Sequence, residues 1–339
     1  MSTLIQAFAA TGRGQPLEAF EYEAGPLGAE QVEIAVTHCG ICHSDLSMID
    51  NEWGMSHYPL VPGHEVVGVV TEIGPAAKRV QIGQRVGLGW YSGSCMACSA
   101  CLSGNHHLCA QAEATIVGRH GGFSNKVHAH WAWTTPLPDA LDSAKAGPLF
   151  CGGATVFNPL VSLNVKPTDR VGVIGIGGLG HMALQFLNKW GCEVTAFTSS
   201  DAKRDEALQM GAHQVVNSRD SNAMGRLRGS LDFIVSTVNV PLDWAAILDT
   251  LAPTGRLHLV GAVLEPIPLS AFALIPGQKA ISGSPVGSPT LASTMVDFCA
   301  RHGIAPVTEH FPLSRVNDAL EHLRSGKARY RIVLENDLG

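Results

Sequence analysis

Charge is scarce in this chain. Asp, Glu, Lys and Arg make up 15% of its 339 residues against 45% hydrophobic ones, which argues for a compact fold with much buried surface and against disorder. It has no cluster of Lys and Arg, and 23 basic against 29 acidic residues leave a formal charge of -6, so a nucleic acid is not an expected partner. Charges, Gly and Pro interrupt every apolar run, so no membrane-spanning segment is expected. The first residues, Met1 to Phe8, lack the charged and long apolar regions of a secretory signal, and the expected location is the cytoplasm. Disulfides are then not the expected use of the nine cysteines; reduced thiols and metal ligands are.

Four of those cysteines form Cys95-x2-Cys98-x2-Cys101-x7-Cys109. Four thiolates on a small lobe can close a tetrahedral shell around zinc, which makes a structural site; free surface thiols are the alternative. A second set is more open. Cys42 and, behind Pro62-Gly63, His64 offer a soft thiolate and an imidazole, and Cys151 in Leu149-Phe150-Cys151-Gly152-Gly153 can supply a third ligand. Three protein ligands leave one position for water or substrate, as in catalytic zinc sites. Cys39, Cys192 and Cys299 fit no such pattern and read as small buried hydrophobes.

The first half reads as β and loop. Strands are expected at 31–36, where Val32, Ile34 and Val36 alternate, at 65–73, and near 125–129, with loops held by metal between 83 and 130. After Cys151 the character changes. Helix 154–163 leads to a buried strand at 170–174, and strand and helix then alternate: helix 181–190, strand 193–197, helix 202–210, strand 214–216, strand 231–236, helix 242–251, strand 255–260. That alternation argues for a doubly wound parallel sheet and an α/β fold class. Pro285 and Pro289 break the pattern, and helices 291–301 and 316–325 and a closing strand 330–334 follow.

Gly175-Ile176-Gly177-Gly178-Leu179-Gly180 lies between the strand at 170–174 and the next helix, where a dinucleotide motif must lie. Gly175 permits the tight turn, Gly177 lets a pyrophosphate approach the backbone, and Gly180 packs helix on strand. NAD would call for a carboxylate at the end of the following strand. Thr198, Ser199 and Ser200 stand there instead, with Lys203 and Arg204 just beyond, and hydroxyls with two cations suit a 2'-phosphate. The expected cofactor is NADP(H); the alternative has Asp201 on the ribose and the two cations on a solvated helix face.

In this order the motifs resemble the zinc-dependent medium-chain alcohol dehydrogenases. Gly40-Ile41-Cys42-His43-Ser44-Asp45, Pro62-Gly63-His64-Glu65, Gly93-Ser94-Cys95-Met96-Ala97-Cys98 and the glycine motif followed by His181 are most similar to the cinnamyl-alcohol-dehydrogenase branch. The resemblance implies a β-rich, GroES-like catalytic domain in two parts, 1–150 and 286–339, around a Rossmann domain at 151–285. It implies two zinc ions, the catalytic one on Cys42, His64 and Cys151, with Glu65 as an occasional or outer ligand, and the structural one on Cys95, Cys98, Cys101 and Cys109. Asp45 matches the residue that bonds the zinc histidine, His43 a cofactor-phosphate contact, Thr155 a residue beside the nicotinamide, Arg331 a pyrophosphate contact, and Trp53 and Trp90 the substrate pocket. A homodimer or homotetramer is implied as well. The chain departs from the branch in carrying Ser47 where a histidine usually stands two residues after the Asp, and in a shorter segment between Cys109 and Gly122.

The expected reaction moves hydride between NADP(H) and a primary alcohol or aldehyde, with zinc as Lewis acid and Ser44 passing the proton. Two further readings remain: an NAD-linked alcohol or polyol dehydrogenase of the same superfamily, and a non-catalytic, zinc-stabilised nucleotide-binding or sensor protein.

Overall fold

A computed structural model describes residues 3–199 and 201–338. The chain forms two compact units, one made of the residues up to Ala154 together with those from Val286 onward, the other of Thr155–Pro285. Cys151 thus belongs to the first unit, with Cys42 and His64.

Strand Gln31–Ile41 is the hub of the first unit. One edge pairs antiparallel with Val66–Ile73; the other is shared, residues 31–35 pairing with Lys126–His130 and residues 38–41 with Arg331–Glu335. Arg85–Leu88, Thr135–Pro136 and Thr308–Pro312 complete a seven-stranded sheet. Val32 and Ile34 are fully buried, as their alternation predicts. Glu33, between them, is buried as well. Burial alone would raise its pKa, but hydrogen bonds from Lys126, Thr71 and His128 bring it below the ordinary carboxylate value.

This half is less purely β and loop than expected. Helix His43–Ile49 starts directly after Cys42, and a hairpin, Thr3–Ala10 with Leu17–Ala24, lies ahead of the sheet. Pro289, read above as a break, is the first residue of helix Pro289–His302, whose Ser288 cap accepts from Leu291 N at 3.3 Å. Proline suits that position, where its missing N–H leaves no bond unmade.

In the second unit six parallel strands lie in the order Gln214–Asn217, Glu193–Thr198, Arg170–Ile174, Leu231–Ser236, Leu251–Leu259, Ala280–Gly283. That is the 3-2-1-4-5-6 order of the Rossmann fold, whose chain reversal beside the first strand opens a crevice for a dinucleotide. Val171 and Val173 are fully buried, as a strand covered on both faces requires. The fifth strand begins at Leu251, earlier than the 255 expected, because Thr254 at φ +64° kinks the chain without ending the strand. Among the described residues no helix is long and apolar enough to cross a membrane.

Gly175 turns at φ +89°, and a Cβ on Gly180 would lie 1.8 Å from Gly175 O. A Cβ on Gly177 would meet nothing within 4 Å. Gly180→Ala is therefore expected to destabilise the fold by about 1–3 kcal/mol or more in denaturant unfolding, whereas Gly177→Ala stays within about 0.5 kcal/mol of the parent.

Candidate active site

Asp45 closes the junction between strand Gln31–Ile41 and helix His43–Ile49. The residue is fully buried, and its Oδ2 accepts from Cys42 N at 2.9 Å, the backward reach of an N-terminal capping box. Its Oδ1 accepts from Gly63 N at 2.9 Å and from His64 Nδ1 at 3.0 Å. One carboxylate thus fixes two segments distant in sequence. With Nδ1 occupied, His64 turns Nε2 toward the cysteines.

Cys42, His64, Glu65 and Cys151 are buried, and each offers a ligand atom within 4.8 Å of the others. Both cysteines are free thiols, with their sulfurs 3.8 Å apart. Two sulfurs each about 2.3 Å from a zinc ion, at the tetrahedral angle, would stand about that far from one another. His64 Nε2 and Glu65 Oε2 are buried without a hydrogen-bond partner. Buried polar atoms in folded proteins are rarely left so, and a cation between them would satisfy both. The donor set fits zinc.

Around this cluster, Arg331 is 4% exposed and is ion-paired through Nη2 to Glu65 Oε1, with Nη1 4.0 Å from Cys42 Sγ. A guanidinium expected at a pyrophosphate therefore faces the metal-ligand cluster. Gly40 leaves the space that Glu65 fills, since a Cβ there would lie 2.0 Å from Glu65 Oε2. Neither relation has a signature in residue spacing. Ser44 Oγ lies 3.7 Å from Cys42 Sγ, and His43 is exposed at the start of the helix. Ser47, buried, donates to Glu52 Oε2 at 2.7 Å. Trp90 meets the His64 ring edge-on at 5.0 Å and Trp53 at 5.9 Å.

The electrostatics favour a thiolate. The hydrogen bond shared with Cys151 holds Cys42 well below the ordinary thiol value against the opposing effect of burial, with Arg331 and His64 adding to it; Cys151 is pushed up correspondingly. Burial raises Glu65 to about 7, although Arg331 pulls the other way. For His64, burial would lower the pKa, but the Asp45 carboxylate outweighs it and the net shift is upward.

Cys95, Cys98, Cys101 and Cys109 also converge within 4.8 Å. Cys95 Sγ is 3.9 Å from Cys101 Sγ and 3.5 Å from Cys109 Sγ, again spacings that suit one tetrahedral ion. Backbone N–H groups of Ala97 and Cys98 point at Cys95 and lower its pKa to about 6, as a metal-binding thiolate needs.

In the second unit, strand Glu193–Thr198 ends in a buried Thr198 followed by an exposed Ser199. Ser200 and the Asp201 side chain lie outside what the structure describes. Lys203 Nζ donates to Ile176 O at 2.8 Å, so this cation lies against the Gly175–Gly180 loop, while Arg204 is exposed at the start of its helix. Gly178 and Leu179 continue that loop into helix Gly180–Trp190, and Thr155 is buried near the start of helix Gly152–Ser162.

Because Asp45 bonds His64 Nδ1, Asp45→Asn is expected to weaken zinc binding at the Cys42 site by about 10–100-fold in competition with a chromophoric chelator. The four cysteines form a separate cluster from the one that Asp45 bonds, and zinc bound there should be unaffected in the same titration.

The family model of the alcohol dehydrogenase GroES-like domain matches residues 28–139, and that of the zinc-binding dehydrogenases matches residues 178–301. An aldehyde reductase, AdhA, of Synechocystis is 56% identical over 98% of this chain and 99% of its own length. A cinnamyl alcohol dehydrogenase of Sorghum bicolor superposes with a TM-score of 0.94 at 36% identity, covering 98% of both chains. One from Helicobacter pylori, complexed with NADP(H), gives 0.91 at 30% identity and 99% of both. With this fold, these converging ligands and these relatives, the chain belongs to the zinc-dependent medium-chain alcohol dehydrogenases, in their cinnamyl-alcohol-dehydrogenase branch.

Proposed function

We propose that this alcohol dehydrogenase acts mainly as an NADPH-linked aldehyde reductase, with one zinc ion held by Cys42, His64 and Cys151 and a second by Cys95, Cys98, Cys101 and Cys109. The observation that carries the reading is the convergence of two buried sulfurs, 3.8 Å apart, with an imidazole nitrogen that has no other partner. Three ligands of this kind leave a coordination position for substrate. The Synechocystis relative, an aldehyde reductase, supports the same direction.

Zinc there would supply a Lewis acid for the carbonyl oxygen, and the reduced nicotinamide a hydride for its carbon. The chain's own residues do the rest. Asp45 keeps the His64 proton on Nδ1, leaving the Nε2 lone pair for the metal. Arg331, ion-paired with Glu65 and with Nη1 4.0 Å from Cys42 Sγ, sets a positive charge beside the thiolates. Trp90 and Trp53, edge-on at 5.9 Å, offer an apolar wall for the body of the substrate, which gives the hydroxyls of a polyhydroxylated alcohol no partner. Ser44 Oγ, beside Cys42, hands a proton to the oxygen as hydride arrives.

The preference for NADPH rests on the hydroxyl ending of strand Glu193–Thr198, on Lys203 against the glycine loop, and on the NADP(H) that the Helicobacter relative binds. A 2'-phosphate meets hydroxyls and cations there, with no carboxylate to repel it on the strand end.

Steady-state kinetics on a panel of aldehydes should give a higher kcat/KM with NADPH than with NADH. Ser44→Ala should lower kcat by about 10²–10⁴-fold while zinc content and NADPH binding persist. A preference for NADH would refute the cofactor assignment; unchanged turnover in Ser44→Ala would remove Ser44 from the proton path. Failure to reduce any aldehyde would favour a nucleotide-binding protein without activity.

A further inference from the structure

An open cavity of about 580 Å³ is lined on one side by Trp90. Met55, Trp90, Ala114 and Val117 form its apolar wall, and Glu113 and Arg119 its polar one. The same indole that walls the cavity meets the ring of His64. The volume lies within the range of about 300–1,000 Å³ typical of small-molecule sites, and a two-carbon aldehyde would leave most of it empty.

The polar wall is held in a fixed state. Arg119 Nη1 is ion-paired with Glu113, and Nη2 donates to His128 O at 2.7 Å. The Arg119 side chain is 24% exposed and that of Glu113 56%, so the cation is the better shielded of the two and its charge is cancelled from the solvent side. A guanidinium freed of its carboxylate would be a ready partner for an incoming carboxylate, through paired, charge-assisted hydrogen bonds. Glu113 occupies that role.

We propose that Glu113, by neutralising Arg119 on the wall of this cavity, disfavours aldehyde substrates that end in a carboxylate relative to uncharged ones of the same shape. The proposal rests on the aldehyde-reductase reading and adds a specificity-determining pair. Selection here works by denying a wrong ligand its partner, one of the two ways in which a site gains specificity.

The test uses the zinc-loaded enzyme with NADPH and three matched substrates: cinnamaldehyde, its 4-carboxylate and its 4-trimethylammonium derivative. Wild type should favour the neutral compound. Glu113→Gln should raise the carboxylate-to-neutral ratio of kcat/KM by about tenfold, chiefly through KM, because a charged hydrogen bond becomes available to the substrate. Arg119→Gln should lower that ratio and raise the trimethylammonium-to-neutral one. A double variant, Glu113→Arg with Arg119→Glu, restores a neutral pair and should bring both ratios back toward wild type. An unmoved carboxylate ratio in a Glu113→Gln protein that keeps its zinc and binds NADPH would overturn the proposal, as would a double variant that behaves like either single one. If wild type reduces none of the three, the aldehyde-reductase reading falls, and this inference with it.

Discussion

A buried carboxylate with three hydrogen-bond donors holds the active site in register. Asp45 has no exposure to water, and an isolated charge in such a place would be prohibitively costly. It is stable there because Cys42 N, Gly63 N and the His64 ring all donate to it. The same three bonds that solvate the charge join the start of a helix to the turn before His64. Candidate metal ligands far apart in sequence are thus brought to one point by a group that is not itself among them. The Glu65–Arg331 pair does the same from the other side. It ties strand Arg331–Glu335 to the ligand cluster, and removing Glu65 would leave the Arg331 guanidinium buried without its carboxylate, at a cost of about 3–5 kcal/mol.

The hub strand explains why these groups can meet. Gln31–Ile41 runs straight into Cys42, its neighbour Val66–Ile73 begins just after Glu65, and Arg331 opens the strand on its other edge. Three strands of one sheet thus deliver Cys42, Glu65 and Arg331 to the same end. Beside them Trp90 packs on His64 and walls the open cavity, so the ligand that needs orientation is covered by the ring that would touch substrate.

Much of this was legible in the residues. The two clusters could be read because thiolates and imidazoles at those spacings have few other uses, and the parallel sheet because strands such as Val171–Ile174 must be apolar on both faces. The first hairpin was not legible. Its buried face is built partly from Ala7 and Ala9 while Leu4 is exposed, so the alternation that marks a strand is blurred. Helix His43–Ile49 is too short for a helical period to show, and the last sheet strand, Ala280–Gly283, has four residues with little apolar signal. Arg331 could be placed by resemblance on the cofactor, but its pairing with Glu65 depends on a strand register that no local pattern encodes. Glu113 and Arg119 are joined across a cavity wall by the fold of the segment after Cys109, and their spacing alone carries no such meaning.

The central claim is that Cys42, His64 and Cys151 share one zinc ion and leave it a position for substrate. Anomalous diffraction at the zinc edge, on crystals of the metal-loaded protein, tests it directly. The account predicts a peak about 2.3 Å from both sulfurs and about 2.0–2.1 Å from His64 Nε2, with a non-protein atom as fourth neighbour. A site without a peak, or a zinc ion closed by a fourth protein ligand that stays in place when an aldehyde analogue binds, would contradict it.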